Sequence, residues 1–364
     1  MTWYVTAGAV CSGVAAIVCC IAATDRRRVS IVTVCIGLVA LVPATFAVLA
    51  LGILRGLDLF GIAHVLYLQA TLAVPILGAG LLVLGRWRRS STAAVVAGAV
   101  LLVPAPVGLW ASHVAPFRLQ VDQHDVPVDP GHEGRGTVRI AVLSDLQTAG
   151  VGDHERRAVQ AVLDAEPDVI VLPGDLFQAD DRVLDEQAPA MRELLGRLRA
   201  PGGVYLVEGD VDSATRLAAV VPPSITRLDD QVVEVRIRDR RVRIGGTRLD
   251  VDSTPADQVR RVLAAEGGAL TVLVSHRPDT VLRLLPGSGV DLVVAGHTHG
   301  GQIALPWFGP PVTLTSVPRA VGAGGVHEVA GNPIYVSTGV GMERGQAPQV
   351  RLLVPPSIGI LDLG

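Results

Sequence analysis

Acidic and histidine side chains recur at the ends of short apolar runs in the second half of the chain. Each run is typical of a buried β-strand, and a carboxylate or an imidazole follows it directly. Ligands of open α/β sheets bind beyond the carboxyl ends of the strands, so these strand ends are expected to converge on one crevice. The runs VLSD, VLPGD, LVEGD, LVSH and VVAGHTH end in Asp145, Asp175, Asp210, His276, His297 and His299.

Carboxylates and imidazoles without thiolates suit borderline divalent metals such as Mn, Fe or Zn. Two such ions ~4 Å apart can hold both the attacking and the leaving oxygen of a phosphoryl centre. A pair of ions needs a bridging carboxylate, and Asp175, in its tight turn with Gly174, is well placed for that role. These residues therefore predict a dinuclear metal site.

Each residue alone has a plainer interpretation. An aspartate after a strand is commonly the N-cap of the next helix, and a histidine there is commonly a structural hydrogen-bonding group. Five strand ends that all carry ligand-type residues favour the metal site over separate caps. The other histidines lack this setting, and His154, at a predicted helix start, is expected at the surface. Those histidines are His124, His132, His154 and His327.

Strands that alternate with amphipathic helices must position these residues. Strand patterns begin at Val138, Asp168, Gly203, Leu270 and Asp291, with two more near the C-terminus at 333–337 and 358–361. Helix patterns begin at His154, Val183, Ala256 and Asp279, and QVVEVRI with RVRIGG predicts an antiparallel hairpin. This alternation predicts an α/β fold with mainly parallel sheets, in two halves joined near residue 230.

The first part of the chain is apolar almost throughout, which explains an overall hydrophobic content of 49%. A helix needs ~20 apolar residues to cross a bilayer, and four stretches meet this length: 4–23, 31–54, 60–85 and 92–110. We therefore expect an all-α, four-helix transmembrane region at 1–114. Residues 115–137, rich in Asp, Pro and Gly, are expected to be a linker with an irregular start, and 138–364 the catalytic domain.

Arginines cluster in two of the short breaks between these stretches. Because arginine-rich short loops tend to remain in the cytoplasm, the predicted protein is a multi-pass protein of the cell membrane with an extracytoplasmic catalytic domain. A cleaved signal peptide is the alternative for the first stretch, but no basic residue precedes it. A transporter is the alternative for all four, but polar side chains are scarce within them. The clusters are Arg26, Arg27 and Arg28, and Arg86, Arg88 and Arg89.

Charge argues against one class of partner. Up to His113 the chain carries seven arginines and two aspartates, so the overall charge of −3 leaves the rest of the chain net acidic. Proteins that bind nucleic acid through phosphates need the opposite balance. We expect a lipid bilayer and a phosphorylated small molecule or lipid as partners, and no nucleic acid.

At these residues the sequence resembles the calcineurin-like metallophosphoesterases, and within them the YkuE-like, membrane-associated branch. The resemblance spans about Val138 to Leu363, and GHTHGGQ from Gly296 is its most specific element. PGDL, VSHRPD and IYVSTGVG add to it. The resemblance implies a four-layer α/β/β/α sandwich, two divalent metal ions (Mn, Fe, Zn or Mg) and hydrolysis of phosphomonoesters or phosphodiesters.

The family pattern also implies how the ligands are shared. Asp145 and His299 would hold the first metal, Asp175 would bridge, and the second metal would fall to the remaining three, which are Asp210, His276 and His297. Two departures stand out. Gln147 replaces the histidine of an Asp-x-His start and adds an amide oxygen as a seventh ligand, which should weaken the first metal site or shift its preference towards harder ions. The family's Gly-Asn-His-Asp is here Gly209-Asp210-Val211-Asp212.

Val211 therefore stands where the family has the histidine that assists the leaving group, and the catalytic residue is left unassigned. Such assistance contributes ~10²- to 10⁴-fold, and leaving groups of low pKa need it least. We expect a membrane-anchored hydrolase of phosphate mono- or diesters, with lipid-linked pyrophosphates or phosphodiesters as candidates, that uses a metal-bridging hydroxide. The alternative is a catalytically weakened protein of the same fold with a binding or regulatory role.

Overall fold

The computed structural model describes residues 2–24, 28–265 and 267–364. The chain divides into two compact units. The first comprises the chain up to Val114 together with Arg344–Val350, and the second comprises Ala115–Glu343 together with Arg351–Gly364. The catalytic domain predicted from the sequence, 138–364, includes residues 344–350. In the structure this short segment belongs to the first unit, with the apolar helices.

The first unit is built from apolar helices. A π-helical turn, Gln69–Ala73, joins the third helix to the fourth. Four stretches are long and apolar enough to cross a membrane: Trp3–Ala23, Ile31–Leu54, Leu59–Trp87 and Thr92–Phe117. Its elements are α1 (Thr2–Ala23), β1 (Arg28–Val29), α2 (Ile31–Leu54), α3 (Leu59–Leu68), α4 (Val74–Trp87), β2 (Arg89–Ser90), α5 (Thr92–Val100) and α6 (Pro104–His113).

Small residues let these helices approach closely, as is common between membrane helices. A Cβ added at Gly78 of α4 would lie 2.8 Å from the carbonyl oxygen of Gly98 in α5. The short strands β1 and β2 pair in parallel, with Arg28 opposite Arg89. Two of the clustered arginines therefore lie at the same end of the unit, while Arg26 and Arg27 fall outside the described residues.

The second unit contains two sheets and five helices among its described residues. The elements are β3 (Gln120–Val126), β4 (Val138–Val142), α7 (Asp153–Asp164), β5 (Val169–Leu172), α8 (Asp181–Leu195), β6 (Val204–Leu206), α9 (Ala214–Val220), β7 (Thr226–Arg227), β8 (Gln231–Ile237), β9 (Arg240–Gly246), α10 (Thr254–Ala264), β10 (Leu270–Val274), β11 (Leu292–Ala295), α11 (Arg319–Gly322), β12 (Gly325–Val329), β13 (Asn332–Val336) and β14 (Ser357–Leu363).

The strands form two six-stranded sheets, ordered β3-β14-β4-β5-β6-β7 and β12-β13-β11-β10-β9-β8. Apolar residues of both sheets, such as Val142 and Val272, fill the core between them. Helices α7 and α8 cover the outer face of the first sheet, and α10 covers that of the second. This is the expected four-layer α/β/β/α sandwich, and the hairpin expected after residue 230 is the antiparallel pair β8 and β9.

Two local expectations were wrong. Residues 120–126, expected to be linker, form the edge strand β3, which pairs with β14 over seven residues. The strand is largely polar because an edge strand is half exposed, and its composition therefore hid it. The helix expected from Asp279 is only a 3₁₀ segment, Pro278–Arg283, because Pro286 and Gly287 follow closely and disfavour a longer helix.

Candidate dinuclear metal centre

The seven predicted ligands lie beyond the carboxyl ends of strands in both sheets. The first sheet supplies Asp145 after β4, Asp175 after β5 and Asp210 after β6, while His276 follows β10 and two further histidines follow β11. Two groups of potential ligand atoms form there, each with all its atoms within 4.8 Å of one another. The groups are Asp145, Asp175 and His299, and Asp210, His276 and His297.

The backbone at these positions adopts conformations that most residues avoid. Asp145, Asp175 and His299 have φ angles of 49°, 52° and 48°, and Gln147 and His297 have 36° and 71°. A non-glycine residue in the left-handed region costs ~1–3 kcal/mol, and such residues cluster at functional sites. The fold therefore maintains an unfavourable backbone in order to aim these side chains.

Glycine is required where two of these turns meet. A Cβ at Gly209 would lie 2.3 Å from both the amide nitrogen and the Oδ1 atom of Asp175. The missing side chain lets the loop after β6 approach the loop after β5. In this arrangement the Val211 amide donates to Oδ1 of Asp175 at 2.9 Å, which leaves the other carboxylate oxygen to face the ligands.

The first group is buried. Asp145, Asp175 and His299 are 0%, 3% and 4% exposed. Oδ1 of Asp145 accepts a hydrogen bond from the backbone amide of His297 at 3.0 Å, and the Ser144 hydroxyl donates to its Oδ2. The His299 Nε2 atom is buried and makes no hydrogen bond to any described residue. A buried imidazole nitrogen without such a bond beside two carboxylates suits a metal ligand.

In the second group, hydrogen bonds orient both imidazoles. His276 Nδ1 donates to the carbonyl of Pro173 at 2.7 Å, so in the neutral ring, the form that binds a metal, the Nε2 atom carries the lone pair. That atom lies 3.3 Å from Asp210 Oδ2 and 3.4 Å from Asp175 Oδ2, yet forms no hydrogen bond within the described part of the chain. His297 donates through Nε2 to the carbonyl of Leu314 at 3.2 Å, and its Nδ1 atom lies 2.7 Å from Asp210 Oδ2. Metal-binding histidines are typically oriented in this way.

Burial and crowding of like charges perturb the group pKa values. Burial raises the pKa of Asp175 to about 7, with help from the nearby carboxylates of Asp145 and Asp212. Burial also lowers the pKa of His299 to about 3. For His276, burial opposes protonation, but the carboxylates of Asp175 and Asp210 outweigh it and raise the pKa to about 10. Buried carboxylates this close repel one another unless cations lie between them. The donor set therefore fits two divalent ions.

Gln147 belongs to a network that the sequence did not reveal. Its Nε2 atom donates to Gln178 Oε1 at 3.1 Å and to Glu343 Oε2 at 3.0 Å. Gln178 Nε2 donates in turn to Glu343 Oε1 at 2.9 Å. The two bonds donated by Gln147 use both hydrogens of its amide nitrogen. They therefore fix the orientation of the amide, and with it the position of the Oε1 atom. Glu343 therefore orients the seventh candidate ligand.

Asp210 has a partner that balances its charge. The Arg277 guanidinium lies against its carboxylate, with Nε 3.1 Å from Oδ1. Burial opposes ionisation of Asp210, but His276, His297 and Arg277 hold its pKa well below the usual range. The carboxylate that replaces the family's asparagine therefore comes with a cation that offsets it. In the sequence, Asp210 was the signal for this pair. Arg277 directly follows the candidate ligand His276, but nothing in its position indicated that it would pair with Asp210.

Two further buried residues support the centre. Asp212 accepts hydrogen bonds from the amides of Asp175 at 2.8 Å and Gly209 at 3.0 Å, and so ties the two loops together. Arg351 is fully buried and donates to the carbonyl of His299 at 2.8 Å. The motif position of Asp212 offered a signal in the sequence, whereas nothing local marked Arg351.

The other histidines make bonds of their own. His154 was expected at the surface and is instead buried, with Nε2 3.0 Å from the carbonyl of Val340. The helix start that suggested exposure turns toward the loop after β13. His124 lies 2.8 Å from Asp122 and His132 lies 2.9 Å from Asp291, and His327 Nε2 lies 3.0 Å from the carbonyl of Gly324.

Comparison with known proteins agrees with this geometry. The family model described as calcineurin-like phosphoesterase matches residues 138–301, a range that contains all seven candidate ligands. The chain is 25% identical to the metallophosphoesterase YkuE of Bacillus subtilis over 70% of this chain and 88% of that protein.

Two further relatives carry related names. The phosphodiesterase YaeI of Escherichia coli is 26% identical over 57% of this chain and 74% of its own length. A transmembrane protein with metallophosphoesterase domain from Danio rerio is 25% identical over 70% of this chain and 61% of its own. The chain therefore carries a calcineurin-like phosphoesterase domain and is a homologue of the metallophosphoesterases, as its strand ends indicated.

Proposed function

We propose that this protein is a membrane-bound hydrolase of phosphate mono- or diesters that works with two divalent metal ions. The observation that carries the proposal is the meeting of the two ligand groups at Asp175. This carboxylate belongs to the first group, and its Oδ2 atom lies 3.4 Å from His276 Nε2 of the second. The match to the phosphoesterase family model supports a hydrolase of phosphoric esters.

Two bound divalent ions would polarise the phosphoryl oxygens and lower the pKa of water. The residues of this chain supply the positioning. Asp145, Gln147 and His299 would hold the first ion, Asp210, His276 and His297 the second, and Asp175 both. The hydrogen bonds that the two imidazoles of the second group donate to the Pro173 and Leu314 carbonyls fix their tautomers.

Exposure indicates the side from which a substrate would approach. The Asp210 and His297 side chains are 24% and 17% exposed, and that of Arg277 is 44% exposed. A phosphate oxygen would therefore reach the second group first, where Arg277 offers a positive charge and a planar set of donors. This arrangement favours an anionic phosphate ester as substrate.

Val211 restricts the leaving group. An apolar side chain cannot donate a proton to a departing alkoxide, so esters with poor leaving groups would react slowly. Leaving groups of low pKa, such as a pyrophosphate arm or a phenol, need no such donor. We therefore favour pyrophosphate-type or activated diester substrates, including lipid-linked ones.

We further propose that the catalytic unit is extracytoplasmic in the cell membrane. An even number of candidate spans precedes it, and the pairing of β1 with β2 keeps Arg28 and Arg89 at one end of the helical unit. Such an arginine-rich end tends to remain cytoplasmic. A reporter fused after Gly364 should be active only outside the cytoplasm, and cytoplasmic activity would contradict this topology.

The test of the function is a metal-by-substrate screen on the full-length protein in detergent or nanodiscs. We expect Mn, Fe, Zn or Mg to support turnover of aryl phosphodiesters or lipid pyrophosphates. Asp175→Asn should abolish that turnover. Equal activity in wild type and Asp175→Asn would contradict the proposal.

Two observations favour a second function, a binding or regulatory role without fast hydrolysis. Val211 lacks the chemistry of a proton donor, and Gln147 gives the first group a neutral ligand. Metal binding without turnover of any ester, at two ions per chain, would support this alternative.

A further inference from the structure

An apolar loop projects from the second unit directly after the His297 and His299 turns. No charged residue occurs between Gln302 and Arg319. Within this range five large apolar side chains are about half exposed or more, and Trp307 is fully exposed. These five, which we call the apolar loop, are Leu305, Trp307, Phe308, Val312 and Leu314. Soluble proteins rarely leave such a patch in contact with water.

The tip of the apolar loop is a tight turn rather than a loose segment. Leu305 and Gly309 exchange backbone hydrogen bonds of 3.0 Å and 2.9 Å. Trp307, between them, has a φ of 63°. That conformation is a genuine outlier for a bulky residue, and strain of this kind is retained where the geometry serves a function. The turn therefore holds the indole ring outward at an energetic cost.

The base of the loop is fixed to the metal centre. The Leu314 carbonyl accepts the hydrogen bond from His297 Nε2 at 3.2 Å. The Thr315 hydroxyl and the Ser316 amide donate to the Asp279 carboxylate at 2.6 Å and 2.8 Å. These hydrogen bonds therefore fix the position of the apolar loop, and of any molecule bound to it, relative to His297.

A cation accompanies the apolar side chains. The Arg319 guanidinium lies 4.1 Å from the centre of the Phe308 ring. Tryptophan and phenylalanine beside arginine are the residues that enter the interface of a bilayer, with the rings at headgroup level and the cation toward anionic lipid. The described part of the same chain carries four candidate membrane spans. The loop is therefore covalently linked to segments that can anchor it at a bilayer.

We propose that the apolar loop inserts into the interfacial region of the lipid bilayer. Trp307 and Phe308 enter the upper acyl-chain region, and Arg319 contacts lipid phosphates. If the proposed function also holds, the loop presents the metal centre to phosphate esters at the membrane surface. The insertion itself requires no catalytic activity.

Fluorescence of Trp307 in the full-length protein tests this proposal. The other tryptophans, Trp3, Trp87 and Trp110, lie in candidate spans, so the difference between wild type and Trp307→Phe isolates the signal of Trp307. We would reconstitute both proteins in nanodiscs that contain anionic lipid and phosphatidylcholine brominated near the top of its acyl chains. Phe308→Trp in the Trp307→Phe background provides a second probe on the same loop.

The control probe is Leu285→Trp in the same background. Leu285 is 78% exposed and precedes the amino end of β11, at the opposite edge of the sheet from the loop. We expect brominated lipid to quench Trp307 and the residue-308 probe strongly, with a blue-shifted emission and little quenching by aqueous iodide. The residue-285 probe should behave in the opposite way.

Two results would overturn the proposal. Quenching of Trp307 by iodide to the same extent as the residue-285 probe would place the loop in water. Protection of Trp307 from both iodide and brominated lipid would mean that protein covers it. Neither result depends on turnover, so failure of this proposal and failure of the proposed function can be told apart.

Discussion

The two ligand groups of the centre differ in burial and in the way their charges are balanced. Asp145, Asp175 and His299 are almost completely buried, and in our proposal the neutral amide of Gln147 is a further ligand of this group. In the second group Asp210 and His297 are partly exposed, and Arg277 lies against the carboxylate. The first group is thus enclosed by the protein, whereas the second opens to solvent.

This difference indicates a division of work. Ligands that are buried and hydrogen-bonded can hold an ion in fixed geometry, and access to water limits how fast that ion exchanges. Ligands that face solvent can share their ion with a substrate. Each group also carries one departure from the family pattern together with a local compensation, Glu343 for Gln147 and Arg277 for Asp210. Substitutions that alter one group at a time reveal whether the two groups are separate in this sense.

The largest effect is expected for the residue that joins the groups. Asp175→Asn removes one charged oxygen from both, so both ions should be lost or weakened together and turnover should fall by more than ~100-fold. Even the loss of a residue that only hydrogen-bonds to a metal ligand typically lowers metal affinity or activity ~10- to 100-fold. Metal content and turnover of the purified protein measure this directly.

Asp185→Asn is the matched control, since Asp185 lies exposed on α8 and should change neither quantity. Loss of only one ion in Asp175→Asn would mean that this carboxylate does not bridge.

The next effect concerns the buried group alone. Glu343→Gln replaces an acceptor of the Gln147 amide with a group that can also donate, so the amide should lose its fixed orientation. We expect one of the two metal affinities to fall ~10- to 100-fold and the other to remain. Equilibrium dialysis with Mn²⁺ measures both affinities.

Glu186→Gln on the exposed face of α8 serves as the control for loss of a glutamate. If both affinities fell equally in Glu343→Gln, the two groups would not be separable.

A smaller gain is expected from restoring a proton donor. Val211→His should raise turnover of alkyl phosphate esters by roughly tenfold, below the ~10²- to 10⁴-fold of an optimised general acid. Turnover of aryl esters should stay the same, because a phenolate leaves without a proton. Val211→Leu is the control for the change in size. An equal gain for both ester classes would point to an effect on binding.

The smallest effect concerns the open group. Arg277→Gln removes a positive charge beside Asp210, so the second ion should bind up to about fivefold more tightly, the size of an exposed ion-pair interaction. The KM of an anionic ester should rise if Arg277 contacts it. Arg277→Lys keeps the charge and should leave the metal affinity near that of wild type. Weaker metal binding in Arg277→Gln would contradict a charge-balancing role.

Much of the fold could be predicted from the sequence because the strands that carry the ligands are buried on both faces. Such strands form short apolar runs, as in β5 and β10, and their ends are easy to locate. The edge strand β3 escaped because half of its side chains face solvent and its composition resembles that of a loop. The local pattern of apolar residues in the sequence therefore identifies central strands better than edge strands.

The positions of the candidate ligands could be predicted for a similar reason, since each lies within five residues of the end of its strand. The residues that adjust those ligands were not. Gln178 and Glu343 are 165 positions apart in sequence, and Arg351 contacts His299 across 52 positions. No local pattern reports such contacts, because only the folded loops bring these side chains together.

The central claim is that two ions share Asp175. Electron paramagnetic resonance of the full-length protein loaded with Mn²⁺ tests it most directly, because ions ~4 Å apart through a shared carboxylate are magnetically coupled. We predict two Mn²⁺ per chain with an exchange-coupled spectrum that disappears in Asp175→Asn. A single Mn²⁺ per chain, or two with the uncoupled spectrum of isolated ions, would contradict the account.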